Sequence, residues 1–571
     1  MKLTLDHNTV RELATPSGDS PLVVAVYLAQ YRRQVAQLRA IETQIGAEAP
    51  DVIDRSGFNR SLQQLASATA LVQRRIVSHP GVGAWITVAR DLLRRSAHIR
   101  LPDFHVRTHL EDFARFSAAA ACLDVRLAFD GALRTTEDGR IVLSGAGIYL
   151  EGSPRIAHRP IAVRVEHGTV TAVAMRVKGM TVTSDGLEVD AVDTGLHRVG
   201  GESFAYADWT AGADRKWLAV LDEAILLAGR AVPAFGREYR LGMHVVLPVM
   251  TARPDTHASA TFREAPGLTA LSWTSDVGVL AEALVHEYHH QKLNALLTLD
   301  PLIAGPTREA RFLSPWRQDP RPLLGLLHGA FSFHAVALFW TGVLRAGVPL
   351  LHLRRAEQRL HLVWMQTRDA LDTLFRHAQW TGIGRGLVAA LHDSVAALHA
   401  QLPAVDARHL EALRSNMRTH RESWTATNGD PDAAVLVPPA KTATAAEAAV
   451  ADALGLDTID VAPTDDIWHD QVLRALMQVR DREAIEKVLR AQDTGSSNLL
   501  SLVDAHLHYL AGRFGESREA YVRFGGLAGS CDYARICAFF CDRHLYEWAD
   551  AEYAVQRFGT TGHEPASSVR R

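Results

Sequence analysis

The 571 residues exceed what one hydrophobic core organises and predict three or four folded units. An apolar share of 47%, a charged share of 22% and a formal net charge of −3 describe a globular chain with no electrostatic attraction to nucleic acid or anionic membrane. The opening MKLTLDHNTVRELATPSGDS has no apolar signal core, no run is read as long enough to span a bilayer, and four cysteines are too few for a disulfide scaffold, so a cytoplasmic protein is expected.

In chain order, Ser20-Pro21 offers a cap and a first-turn proline to a helix from about Leu22 to Ile45. Amphipathic stretches near 62–78, 83–96 and 104–120 predict further helices. Around Arg140 the period changes: IVLSGAGIYL, IAVRVEHGTV, TAVAMRVKGM and LEVDAV are rich in Val and Ile and separated by glycine turns, as strands are. A helix near 215–231, a strand MHVVLPVM and short strands HASATF and LTALSW follow. Asp276-Val277-Gly278 opens a helix containing His286-Glu287-Tyr288-His289-His290, and from Pro322 to about Leu402 the chain is helical again. His109-Leu110-Glu111 and His409-Leu410-Glu411 read as helix surface.

Residues 425–465, rich in Ala, Thr, Pro and Asp, read as a linker, and 466–558 as helical pairs. Within these, AHLHYLAGRF, continuing through Ala520 to Phe524, resembles one tetratricopeptide unit, which binds a peptide or packs on the enzyme or a second copy of it. Cys537 and Cys541 read as buried helix-core residues, and 559–571 as a disordered tail.

Residues four apart on a helix face the same way, so His286 and His290 can present two imidazoles to one ion. AEALV before them and LNALLTL after them keep the apolar stripe and place the pair inside a helix. A catalytic metal needs a third ligand. His328 comes first, beside a Gly329 that admits a close backbone or substrate; His334 and Glu309 stay open. The pattern HExxHxxGxxH is absent, because Leu293 and Leu296 stand where it has glycine and histidine. In SPWRQDPRP, Asp319-Pro320 predicts a helix start, and Arg317 and Arg321 beside it an anion site suited to a carboxylate. Salt bridges to nearby acids are the other use for these guanidiniums.

The segments SWTSDVGVLAEALVHEYHHQKLNALLTLD and SPWRQDPRPLLGLLHGAFSF resemble the HExxH-type 2-oxoglutarate- and Fe(II)-dependent peptide β-hydroxylases of ribosomal peptide (RiPP) biosynthesis. The resemblance covers about 259–333, extends more loosely over 1–425, and stops before the C-terminal helices. It implies Fe(II) on His286, His290 and His328, with 2-oxoglutarate and O2 as cosubstrates and the β-carbon of a precursor-peptide side chain as target. Arg317 or Arg321 would hold the cosubstrate carboxylate. Glu287 would orient a ligand histidine or the substrate, whereas in a zinc peptidase it would be the base that activates water. A zinc metallopeptidase that processes a peptide is the alternative, and a peptide-binding protein with a decayed site the third reading. The implied fold is not a cupin or double-stranded β-helix. The expectation is α+β and mostly helical: a helical region 1–135, a β-rich and metal-binding catalytic region 136–424, the linker 425–465 and a tetratricopeptide-like appendage 466–558.

Overall fold

The computed structural model describes residues 9–430 apart from short internal stretches (19, 97–102, 137, 158, 194–195, 197–204, 207–212, 252–256, 305–309 and 347–349), and beyond them only 435–436, 508, 516, 519 and 520. Apart from 508, 516, 519 and 520, the tetratricopeptide-like helices lie outside the described residues, as do most of the linker, the tail, Glu309, Cys537 and Cys541.

After a 3₁₀ turn at Thr9–Ala14, the chain forms α1 (Pro21–Glu48), α2 (Pro50–Ser56), α3 (Phe58–Ser67), α4 (Ala70–Val77), α5 (Pro80–Ser96), α6 (Asp103–Glu111) and α7 (Ala114–Leu123). Ser20 caps α1 as its sequence predicts, its hydroxyl accepting from the Leu22 N–H. The stretch 62–78 is two helices, because Thr69 caps α4 with its hydroxyl while its own N–H is taken by the Asp124 carboxylate at 2.8 Å. His109 corrects the surface reading. It is buried, its ring stacked on Trp85 at 4.8 Å, and each residue's ring nitrogen bonds the other's carbonyl, at 3.0 and 2.8 Å. His409 is exposed, as expected.

Six strands follow: β1 (Ala128–Arg134), β2 (Arg140–Leu143), β3 (Ile148–Glu151), β4 (Pro160–Glu166), β5 (Thr169–Ala172) and β6 (Arg176–Gly179). They make two antiparallel sheets, ordered β1-β4-β5 and β2-β3-β6. The β4–β5 hairpin turns on His167 and Gly168, both at positive φ (51° and 78°), the twist a two-residue hairpin demands. Leu133, Ile141, Leu150, Val163 and Val165 share a core with Phe58, Trp85, Phe113 and Phe116, so these sheets pack against the helices that precede them.

The next elements are β7 (Thr181–Val182), β8 (Glu188–Val189), β9 (Ala205–Tyr206), α8 (Ala213–Ala231), α9 (Pro233–Glu238), β10 (Val245–Met250), β11 (Ser259–Thr261) and β12 (Leu268–Ser272). They build a sheet ordered β11-β12-β10-β8-β7, with β9 also on β10. Strand β10 runs parallel to β8 and β12, and Val245–Val249 are buried. Then come α10 (Val277–Leu296), β13 (Ala310–Ser314), β14 (Arg317–Pro322), α11 (Leu323–Arg345), α12 (Leu350–His377), α13 (Gly382–His399), α14 (Ala407–Asn428) and β15 (Val435–Leu436). The Asp276 carboxylate caps α10 by accepting from the Val279 N–H at 3.0 Å. The fold is thus α+β and mostly helical, with helical segments on either side of a strand-rich middle, and no barrel closes among the described strands.

Two expectations are corrected in this half. Arg317–Pro322 is a strand paired antiparallel with β13, and the helix begins only at Leu323. Pro320 and Pro322 hold the residues before them extended, which outweighs the capping signal of Asp319. The second concerns α11: alone among the described helices it is long and apolar enough to cross a membrane, where no such run was expected. In the fold 67% of that stretch is buried, and α11 packs between α8, α10 and α12 as the central core helix.

Two helix contacts in this core depend on glycine. A Cβ on Gly342 of α11 would lie 2.0 Å from the Ala231 carbonyl oxygen, and one on Gly384 of α13 would lie 1.9 Å from that of Leu302. Backbone cannot step aside as a side chain does. Gly342→Ala and Gly384→Ala are each expected to cost about 3 kcal/mol of stability, read as a lowered Tm.

Candidate metal centre

Helices α10 and α11 lie side by side and bring the predicted histidines together. His286 and His290, one turn apart on α10, place their Nε2 atoms 3.0 Å apart with rings at 90°. His328 of α11 reaches across, its Nδ1 3.2 Å from Nδ1 of His290. Ser332, one turn beyond His328, sets its hydroxyl 2.9 Å from that same Nδ1. His334 is not part of the group. It is buried on another side of α11 with Nε2 2.7 Å from the Ser394 hydroxyl of α13. His289 also turns away, with Nδ1 on the Val285 carbonyl at 2.7 Å.

Nitrogen ligands about 2.1 Å from one metal sit about 3.0–3.4 Å from each other, so both separations have the size that shared ligation requires. Burial, foremost, pushes His286 and His328 down to about 4 and His290 well below its usual value, favouring the neutral ring, the form that ligates a metal. Nδ1 of His286 is buried with no hydrogen-bond partner. The orientation of the rings is less favourable. His290 meets His286 with Nε2 and His328 with Nδ1, and one imidazole lends one nitrogen to one ion. Accordingly, no group of three or more His, Cys, Asp or Glu side chains placed to hold a metal occurs among the described residues. Donor chemistry and spacing fit a metal; convergence on one point requires His290 or His328 to turn.

Glu287 lies on another face of α10. It is 2% exposed, with Oε1 accepting from the Ser259 hydroxyl at 2.6 Å and Oε2 from the Thr261 hydroxyl at 2.7 Å. Burial raises it to about 7, against the pull of those two hydroxyls. Its role in the fold is to tie α10 to the edge strand β11. The carboxylate that shares the histidines' face of α10 is Glu282, one turn before His286. It accepts from Arg359 Nε at 3.0 Å and from Trp340 Nε1 at 2.7 Å.

An aromatic wall closes one side. Phe333 packs on His286 with centroids 4.5 Å apart, and Trp316 stacks on Phe333 at 4.8 Å and 13°. The space left by Gly329 is filled by this indole: a Cβ there would lie 2.5 Å from Trp316 Cζ3. The close approach expected at Gly329 is therefore made by a side chain, not by a backbone or a substrate. Beyond Trp316 lies a cavity of about 470 Å³ between α12, α14 and the β13–β14 hairpin, lined by Trp316, Gln366, Asp372, Asn416 and His420 among others.

Arg317 and Arg321 share one acid: Arg317 Nε is 2.7 Å from Asp319 Oδ1, and Arg321 Nε is 2.8 Å from Oδ2. Burial would raise the Asp319 carboxyl, but the two guanidiniums together hold it below its usual value. One positive charge remains over from the three groups. Ser332, Glu282, Arg359, Phe333 and Trp316 were not singled out from sequence. Two of them carried a signal there: Ser332, four residues after His328, and Glu282, four before His286, each on the face of its histidine.

No protein-family model matches the chain, and no match to a curated protein is found.

Proposed function

We propose that the protein is an Fe(II)- and 2-oxoglutarate-dependent oxygenase that hydroxylates the β-carbon of a side chain in a ribosomally made precursor peptide. The observation that carries this reading is a cluster of three neutral imidazoles beside a Glu287 whose two oxygens are both engaged by β11. A metallopeptidase needs that carboxylate free to take a proton from water. Three uncharged ligands suit a metal whose charge is balanced by an anionic cosubstrate. His286, His290 and His328 would hold Fe(II), which with 2-oxoglutarate and O2 supplies the oxidising chemistry.

The chain's own groups then have distinct tasks. The Ser332 hydroxyl bonds His290 and fixes its ring. Glu287 keeps α10 in register with β11, and Phe333 and Trp316 exclude water from the His286 side. Arg317 and Arg321 offer the cosubstrate carboxylate the positive charge that Asp319 leaves unbalanced. The helices expected at 466–558 would grip the peptide or a second copy of the chain.

The test is anaerobic reconstitution with Fe(II), followed by O2 and 2-oxoglutarate, with succinate and one added oxygen in the peptide as the products. Glu287→Gln separates the two enzyme readings. Glutamine still accepts one hydroxyl hydrogen bond, so succinate formation is expected to stay within about tenfold of the parent. A general base lost from a peptidase would cost about 10²–10⁴-fold in peptide cleavage with the metal retained. Cleavage by the parent chain that disappears in Glu287→Gln would overturn the hydroxylase reading.

A further inference from the structure

Three arginines stand on three elements that pack together near the histidine-bearing helix α10: Arg33 on α1, Arg90 on α5, and Arg263 in the turn between β11 and β12. The turn 262–267 crosses α10 between two bonds that bracket His290. Upstream the Thr261 hydroxyl holds Glu287, and downstream the Gly267 N–H donates to Gln291 Oε1 at 3.1 Å. From the other side α5 seats against the same turn. The Thr87 hydroxyl donates to the Glu264 carbonyl at 3.2 Å, and a Cβ on Gly83 would lie 2.6 Å from Pro266. Arg90 lies three residues beyond Thr87, on the same face of α5, and α1 packs along α5.

All three guanidiniums are exposed, and none has a carboxylate partner among the described residues. They act on one another: after burial, the charges of Arg263 and Arg90 are what hold Arg33 below its usual value. Carboxylates are not scarce in a chain with 64 acidic and 61 basic side chains, yet none neutralises this ridge among the described residues. Unpaired like charges in fixed positions destabilise the free protein and steer an oppositely charged partner.

We propose that Arg33, Arg90 and Arg263 form a ridge that holds an acidic segment of the substrate peptide and leads the adjoining residues toward His286, His290 and His328. This names the substrate class of the proposed hydroxylase and rests on that reading. Three cations on three elements match a run of carboxylates. A single 2-oxoglutarate offers only two carboxylates to three cations, and nucleic acid would meet a chain with an excess of acid.

The experiment measures fluorescence anisotropy of labelled hexaglutamate with the full chain, without iron or cosubstrate. A working hydroxylase can therefore fail it, and a chain without 2-oxoglutarate turnover can pass it. Hexaglutamate is expected to bind and hexaglutamine not. The double variant Arg33→Glu/Arg90→Glu is expected to bind hexaglutamate at least about tenfold more weakly and to gain affinity for hexalysine. Arg33→Gln/Arg90→Gln, with an unchanged Tm as the folding control, should fall between. Equal hexaglutamate affinity in parent and charge-reversed variant would overturn the proposal. So would displacement of the peptide by millimolar 2-oxoglutarate, or tighter binding of single-stranded DNA than of hexaglutamate.

Discussion

His290→Ala is expected to abolish stoichiometric Fe(II) binding and to bring 2-oxoglutarate-dependent succinate formation to background. His290 is the middle of the cluster, touching His286 through Nε2 and both His328 and Ser332 through Nδ1. Without it the remaining two rings share no contact on which a site could form. His286→Ala and His328→Ala should each have the same outcome, while His334→Ala, whose partner is Ser394, should keep its iron. The fold should persist in the cluster variants, because three crowded neutral imidazoles contribute little net stability without a metal. Iron content after anaerobic reconstitution is the direct reading, since zinc carried through purification binds such sites more tightly than Fe(II). Full iron occupancy in His290→Ala or His328→Ala would place the metal elsewhere, and loss of iron in His334→Ala alone would exchange the third ligand.

Lys292→Met is expected to destabilise the protein by about 3–5 kcal/mol, measured by denaturant unfolding. Two residues past His290, Lys292 enters the interior and pairs with Glu238 at 3.2 Å, with side-chain exposures of 2% and 0%. Its Nζ also donates to the Thr15 carbonyl at 2.9 Å, while Glu238 accepts from the Ser17 N–H at 2.9 Å. Burial pulls Lys292 below its usual value, and the Glu238 charge opposes that pull. Removing the ammonium leaves a buried carboxylate without its cation. The double change Lys292→Met/Glu238→Leu should recover most of the loss, because the uncompensated charge, not the missing bond, carries the cost. If the double variant is as unstable as the single one, the damage lies in packing.

What the sequence made legible was local. Ser20 and Asp276 announced their helices because a capping side chain and the backbone it caps are neighbours in the chain. The spacing of His286 and His290 fixed their shared face for the same reason, and the short path through β13 and β14 brought His328 to them. Tertiary partners were not legible. Glu287 has the same one-letter pattern whether it faces a metal or the hydroxyls of β11, which lie 26 and 28 residues away. His109 looked like surface because nothing near it in sequence reveals the Trp85 that satisfies it. Arg317–Pro322 carried two conflicting local signals, and the extended preference before proline prevailed once β13 was there to pair with.

Helix α11 has a consequence for how the chain is made. Its most apolar stretch reaches a mean hydropathy of 1.6, and it is synthesised before α12, the helix it packs against most extensively. A ribosome that has completed α11 but not α12 therefore carries a segment with the length and apolarity of a membrane anchor whose most extensive packing partner has yet to be made, with only α8 and α10 there to cover it. The partner arrives next in the chain, so closure of this helical hairpin spans little sequence and is fast once both halves have emerged. Translational pausing within 346–377 would prolong that exposure, and a message truncated there would release a nascent product prone to stray insertion or aggregation.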